Sequence, residues 1–377
     1  MKANNYSFIN GLRGIATLLV MFCHWGMIFT NNNEISAELG YFHPVQLGKV
    51  PFITLFGYAI KSYLGMDPGM MGVALFFLIS GFLIKSSLSN RTWSKFIITR
   101  ILRIYPLYII CLIITCIVLY FSAHINGIPF RVDFFTFIAN ASLTRLWFWA
   151  GGIDGVVWTL EIEMFFYLIA CILLYYGKKI YEIKAIIAVD FLSVVYIYII
   201  HGFYEGLLDK YFYLYKTLFT VGHYMVFMPF ILLGAICRLR FEGEIDKKRF
   251  FSLLFVQLAV FAIDIHYFYP MNFTGYIASY FLMTAVFVIS MYVKSKQNVI
   301  VNAIKRFLEG VAQISFPFYA LHGAAGYAVL AYLYSRLNHF KLSFIIALVL
   351  FVLCSYLVHI TVERFTRKLQ RIMDGKT

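Results

Sequence analysis

Charge is what this sequence has least of. Only 13% of its 377 residues are Asp, Glu, Lys or Arg, against 62% apolar, and its mean hydropathy is +0.79. A soluble domain carries about 25% charged residues, so that class is excluded. Acidic residues are scarcer than basic ones, 18 against 32, which leaves a net charge of +14. Such an excess can mark a nucleic-acid binder. Here the basic residues stand in short clusters between apolar runs rather than in one patch, which is the pattern of cytoplasmic loops. No nucleic-acid partner is expected. The six cysteines (Cys23, Cys111, Cys116, Cys171, Cys237 and Cys354) have no metal-ligand spacing. They read as reduced packing residues, and no metal is expected. There is no low-complexity tail and no repeat of solenoid period. Nor is there a cleavable signal: the first apolar run holds Arg13 and no small-residue cleavage site follows it.

What is present is a recurrence of apolar runs of about 20 residues, the length a hydrocarbon layer of about 30 Å asks of a helix. The expected fold is all-α, a polytopic membrane protein of about ten transmembrane helices near 8–29, 70–88, 102–122, 155–176, 184–201, 217–236, 250–269, 273–293, 311–334 and 342–362. A single transmembrane domain over 1–377 is expected, because the chain ends soon after the tenth run and leaves no room for a fused soluble extracytoplasmic domain. The stretch 134–149 is apolar but too interrupted to span, which suits an outer interface or a re-entrant segment. With the N-terminus inside, the inner segments hold 24 of the 32 Lys and Arg and the outer ones 8. That bias predicts cytoplasmic N- and C-termini. The outer connections 30–69 and 123–154 are long, with many aromatic, Gly and Asn residues and few charges. Surfaces that hold sugars are often built this way, although aromatic residues also crowd membrane interfaces without a ligand.

The stretch GLRGIATLLVMFCH then stands out, because an apolar span should not carry Arg13 and His24 without a reason. Eleven α-helical positions bring them within about 20° of one face, about 16 Å apart along the axis. Thr17 and Val20 complete the stripe, which belongs against protein or a water-filled cavity. In the fourth run, Thr159, Glu163 and Tyr167 share a face at i, i+4 and i+8, while Glu161 points nearly opposite. Glu163 falls close to the expected depth of His24, and His322 lies near the middle of the ninth run. On the cytoplasmic side, Arg100 and Arg103 in TRILRIYPLY join Arg13 to offer guanidinium groups suited to phosphate. Coenzyme A, anionic at its nucleotide end and slender along its pantetheine arm, matches a corridor from these arginines to His24. In GVALFFLISGFLI, Gly72 and Gly81 permit close helix approach and Ser80 can bond to a neighbouring helix.

These features occur in one order: Arg13-x10-His24, FFLISGFLI, Arg100-x-x-Arg103, the run from Trp158 to Tyr167, ISFPFYALH, and the closing VER from Val362 to Arg364. Together they resemble the acyltransferase-3 family of integral-membrane O-acyltransferases, over essentially the whole chain. Two departures appear. Met164 stands where an acidic residue commonly follows the glutamate, with Glu161 an addition, and Phe365 stands where the closing motif usually reads proline. The resemblance implies transfer of an acetyl or other short acyl group from cytoplasmic acyl-CoA to a hydroxyl of an extracytoplasmic glycan or lipid-linked saccharide, such as O-antigen or capsule, in a bacterial inner membrane. It implies His24 as the essential histidine, Arg13 as its partner, Arg100 and Arg103 as donor-binding residues, and Glu163 as a second catalytic residue. Ser80, Trp158, Tyr167 and His322 are candidate site-lining residues.

Two mechanisms fit. In direct transfer His24 is the general base on the acceptor hydroxyl, with Glu163 or a neighbour orienting the ring. In the other, His24 is acylated first and passes the group on. Each residue also has a plainer role open to it. An intramembrane histidine can merely bridge helices, Glu163 can be an ion-pair partner, and Arg100 and Arg103 can simply be positive-inside residues. His223, His359 and Glu363 read as structural. A secondary transporter or a lipid-linked-sugar flippase is the alternative class, although no inverted repeat or pair of broken helices is visible.

Overall fold

A computed structural model of the chain describes residues 6–31, 33–293 and 299–373. Lys2, Lys294, Lys296 and Lys376 of the loop-charge comparison lie outside these residues. Among the described residues every regular element is a helix, with no strand. Among these residues nine helical segments are long and apolar enough to cross a membrane: Ser7–Asn31, Pro68–Leu88, Trp93–Asn126, Trp158–Tyr175, Ile183–Gly202, Phe212–Phe241, Lys247–Phe268, Pro270–Tyr292 and Phe340–Gln370. They cover nine of the ten expected runs. In Lys247–Phe268 only 28% of the most apolar window is buried. So much apolar surface left outside the packed protein needs lipid as its solvent.

The remaining run, 311–334, the ninth in chain order, is not one helix. It is broken into Val299–Gln313, Ser315–Leu321 and Ala324–Leu337. Pro317 explains the first break: it has no N–H to give the Gln313 carbonyl, and its ring would strike that carbonyl in a continuous helix. In the first turn of a new helix the missing N–H costs nothing. The second break falls at His322–Gly323. The stretch 134–149 forms only two short helices, Phe134–Ala141 and Arg145–Phe148, neither near the length that crosses a bilayer.

Two segments widen to π-helix. Helix Ser7–Met21 runs into a π segment at Phe22–Ile28, where the N–H of Phe29 reaches the His24 carbonyl. A second lies at His359–Glu363, where the N–H of Arg364 reaches the His359 carbonyl. Single π turns inside α-helices gather at functional positions. The α-helical register that relates Arg13 to His24 therefore holds only as far as Met21.

The chain divides into two compact units, Met1–Gly72 with Thr99–Trp158 and Lys296–Thr377, and Val73–Ile98 with Thr159–Ser295. In the first, Gly14 lies so close to helix Val299–Gln313 that a Cβ there would stand 2.5 Å from the Leu308 carbonyl oxygen. In the second, Gly81 and Gly234 let helices Pro68–Leu88 and Met228–Phe241 meet backbone to backbone. A Cβ on Gly81 would fall 1.8 Å from the Ile231 oxygen, and one on Gly234 2.2 Å from the Leu78 oxygen. Small residues at such crossings are how membrane helices gain packing without a hydrophobic drive between them. All six cysteines are free thiols.

Candidate functional site

In the first unit the polar centre forms around the two irregular elements. The π segment carries His24, and the break in the run 311–334 carries His322. The two imidazoles meet edge to face with ring centroids 4.9 Å apart. Tyr327, on the helix that resumes after the break, places its hydroxyl 2.7 Å from His24 Nδ1. His24 remains partly exposed, whereas His322 is only 1% exposed. His322 Nδ1 lies 2.8 Å from the Tyr319 carbonyl. A carbonyl only accepts, so Nδ1 carries the proton and Nε2 keeps its lone pair. That Nε2 is buried and has no hydrogen-bond partner among the described residues.

A broken helix at this depth frees backbone groups that must be satisfied inside the protein. Each side of the break is answered. The Trp25 indole N–H donates to the His322 carbonyl at 2.8 Å, and the Ala324 N–H donates to the Asp154 carbonyl at 3.3 Å. Trp25 is fully buried. Gly323 is required at the crossing, because a Cβ there would stand 2.3 Å from the Asp154 oxygen. The Tyr319 hydroxyl donates to the Val156 carbonyl, 3.2 Å away. Asp154 is thus the pivot of the turn that leads into helix Trp158–Tyr175. Its Oδ1 accepts from the N–H groups of Val156 and Val157, each at 3.0 Å, while its buried Oδ2 has no partner among the described residues. Burial pushes the Asp154 carboxyl above its ordinary value, against the opposing pull of those two N–H groups and of Arg145.

Arg13, Arg100 and Arg103 also belong to this unit. Arg13 is partly exposed and its carbonyl accepts the Thr17 hydroxyl at 2.9 Å. Thr17 and Val20, on the expected stripe, are 4% and 2% exposed. Arg100 is buried and Arg103 exposed, so one turn of helix turns one guanidinium into the packing and the other to the surface. Trp158 is partly exposed at the start of its helix. His359 and Glu363 pair with each other at 2.6 Å within their π segment.

The second unit contains Ser80, Glu163 and Tyr167. Ser80 donates to Glu163 Oε1 at 2.9 Å, and the Tyr167 hydroxyl donates to the same oxygen. The i, i+4 relation between Glu163 and Tyr167 is therefore a direct bond, and Ser80 makes the cross-helix bond its position suggested. Thr159 is 8% exposed on the same face. Glu161 is 2% exposed, deeper than the partly exposed Glu163. His223 pairs through Nδ1 with the Tyr269 hydroxyl.

Of the residues singled out in the sequence, the structure sets His24 beside His322 and bonds Glu163 to Ser80 and Tyr167. The sequence did not point to Tyr327, Trp25 or Asp154. Tyr327 and Trp25 had no signal beyond being aromatic residues in apolar runs. Asp154 had one, a carboxylate just ahead of a helix start in GGIDGVVW, the usual place for a side chain that caps free N–H groups.

Nine membrane-length helices and a histidine-centred polar core, assembled where helix geometry breaks down, define a multi-pass helical membrane protein with acid–base equipment in its interior. The chain belongs to the acyltransferase-3 family, since residues 6–360 match the model described as the acyltransferase domain. It is also similar to Nodulation protein 10 of Rhizobium leguminosarum bv. viciae, at 33% identity over 115 residues, 26% of this chain and 31% of that protein. The match spans about a third of the curated relative's length. No solved structure matches the chain.

Proposed function

We propose that the protein moves a short acyl group, acetyl in the simplest case, from cytoplasmic acyl-CoA to a hydroxyl of an extracytoplasmic glycan or lipid-linked saccharide. The bilayer is a bacterial inner membrane, with the broken run as a tenth crossing and both termini cytoplasmic. The observation that carries this reading is the His24 imidazole held at Nδ1 by Tyr327 and flanked by His322.

In the tautomer that donates Nδ1–H to the Tyr327 oxygen, which we propose is the reactive one, the lone pair of His24 lies on Nε2, where a general base needs it. His24 takes the proton of the acceptor hydroxyl as that oxygen attacks the thioester carbonyl. The carbon–sulfur bond then breaks, and the imidazolium returns the proton to the departing thiolate of coenzyme A. Arg13, Arg100 and Arg103 hold the phosphates of the donor. Glu163 is the second residue we propose for catalysis, with its carboxylate kept in place by Ser80 and Tyr167 inside its own unit. Trp158 and His322 are proposed to line the site of the first unit, and Ser80 and Tyr167 the surroundings of Glu163 in the second. No metal enters this scheme.

The test is incubation of membranes containing the protein with radiolabelled acetyl-CoA. The expected result is label in surface glycan that depends on the protein and on His24 and is lost in Glu163→Gln. Label retained on the protein with donor alone would instead favour an acylated His24. Movement of unmodified saccharide without label transfer would contradict the reading.

A further inference from the structure

The first unit holds a cavity of about 560 Å³ outside its long apolar helices, lined among others by Glu34, Glu38, Tyr41, Arg131, Gly151 and Gly152. Its volume is in the range of small-ligand sites. Its walls are built rather than incidental. On one side Tyr41 adopts a left-handed φ of 54°, a conformation that non-glycine residues hold only when their surroundings impose it. Here Ser122 Oγ and Asn126 Nδ2 both donate to the Tyr41 carbonyl, at 3.1 and 3.2 Å, and the Arg131 N–H donates to the Tyr41 hydroxyl at 3.3 Å. On the other side, fully buried Asn140 clamps the 151–153 segment. It donates to the Gly151 carbonyl at 2.8 Å and accepts from the Ile153 N–H at 3.2 Å.

Both walls lead to the imidazole centre. Helix Asn33–Gly40 packs on Ala324–Leu337, with Gly40 against the Ala328 N–H, one residue from Tyr327. The 151–153 segment continues into Asp154, whose carbonyl seats Gly323, one residue from His322. Glu34 and Glu38 lie four residues apart on one helix and share a face. Their carboxylates and the Arg131 guanidinium are exposed and make no ion pair among the described residues, although they line one cavity.

We propose that this cavity is a saccharide subsite, which receives a neutral or amino-bearing sugar unit of the acceptor and excludes an acidic one. Rigid walls, a phenol, open space beside Gly151 and charged side chains outside any ion pair are what a polyhydroxyl ligand requires. Two carboxylates against one guanidinium repel a sugar acid. The assignment rests on the proposed transfer to a glycan.

Saturation-transfer NMR on the full chain in nanodiscs tests it without any donor, using the methyl glycosides of glucosamine, N-acetylglucosamine and glucuronic acid as probes. Binding of the first two is expected, with Kd raised at least tenfold by Arg131→Ala, by Glu38→Gln and by Gly151→Trp. The last adds bulk where a Cβ meets nothing within 4 Å. The Glu34→Gln/Glu38→Gln double variant is expected to gain binding of the glucuronide. No binding of any glycoside, or binding that these variants leave unchanged, overturns the subsite. Binding as described in a protein that transfers no acyl group would instead remove the proposed function and leave the subsite standing.

Discussion

The hydroxyl of Tyr327 lies 2.7 Å from Nδ1 of His24, although 303 residues separate the two in the chain. The phenol holds the ring through Nδ1, and when that nitrogen donates to the phenol oxygen, Nε2 keeps the lone pair a general base needs. Tyr327→Phe removes only the oxygen. The expected result is a fall in kcat of about tenfold to a hundredfold, within what misplacing a general base costs, with KM for acyl-CoA little changed. Steady-state kinetics on the variant check this, and an unchanged kcat would show that the ring needs no such partner.

Trp25 supports the same centre from behind, through its donation to the His322 carbonyl exposed by the helix break. Trp25→Phe leaves that buried carbonyl without its donor, at a cost of about 1–3 kcal/mol. Thermal unfolding in a fixed detergent should show a lower midpoint. Equal midpoints would mean that the break is satisfied in another way.

Asp154 supplies a pH signature. Burial raises its carboxyl in the folded chain, so the fold binds that proton more tightly than the unfolded chain does. Its contribution is therefore complete below the ordinary carboxylate value and is lost as pH rises through the raised one. Asp154→Asn keeps an oxygen for the Val156 and Val157 N–H groups and removes the titration. The variant is expected to gain stability over the parent as pH rises from 4 to 8, read as the difference between their unfolding midpoints. A difference that does not vary with pH would contradict the assignment.

The nine membrane-length spans were legible because about twenty largely apolar residues leave the backbone one economical solution in lipid. The run 311–334 passed the same length test and still breaks. Pro317 and the His322–Gly323 pair were the visible breakers, and hydropathy averages over them. The Arg13–His24 stripe was readable only to Met21, since a π turn leaves no mark in composition. Glu163 and Tyr167 were paired correctly because an i, i+4 relation is local. Tyr327 was invisible for the opposite reason. Its partner comes from the other end of the chain, and no local periodicity reports a contact of that separation.

On the proposed mechanism the His24 imidazole carries out the acyl transfer. The most direct measurement is the rate of label transfer from radiolabelled acetyl-CoA to glycan in membranes containing equal amounts of folded wild type and His24→Ala. A loss of at least a hundredfold, with an unchanged unfolding midpoint, is the predicted result. Wild-type transfer by His24→Ala would contradict it.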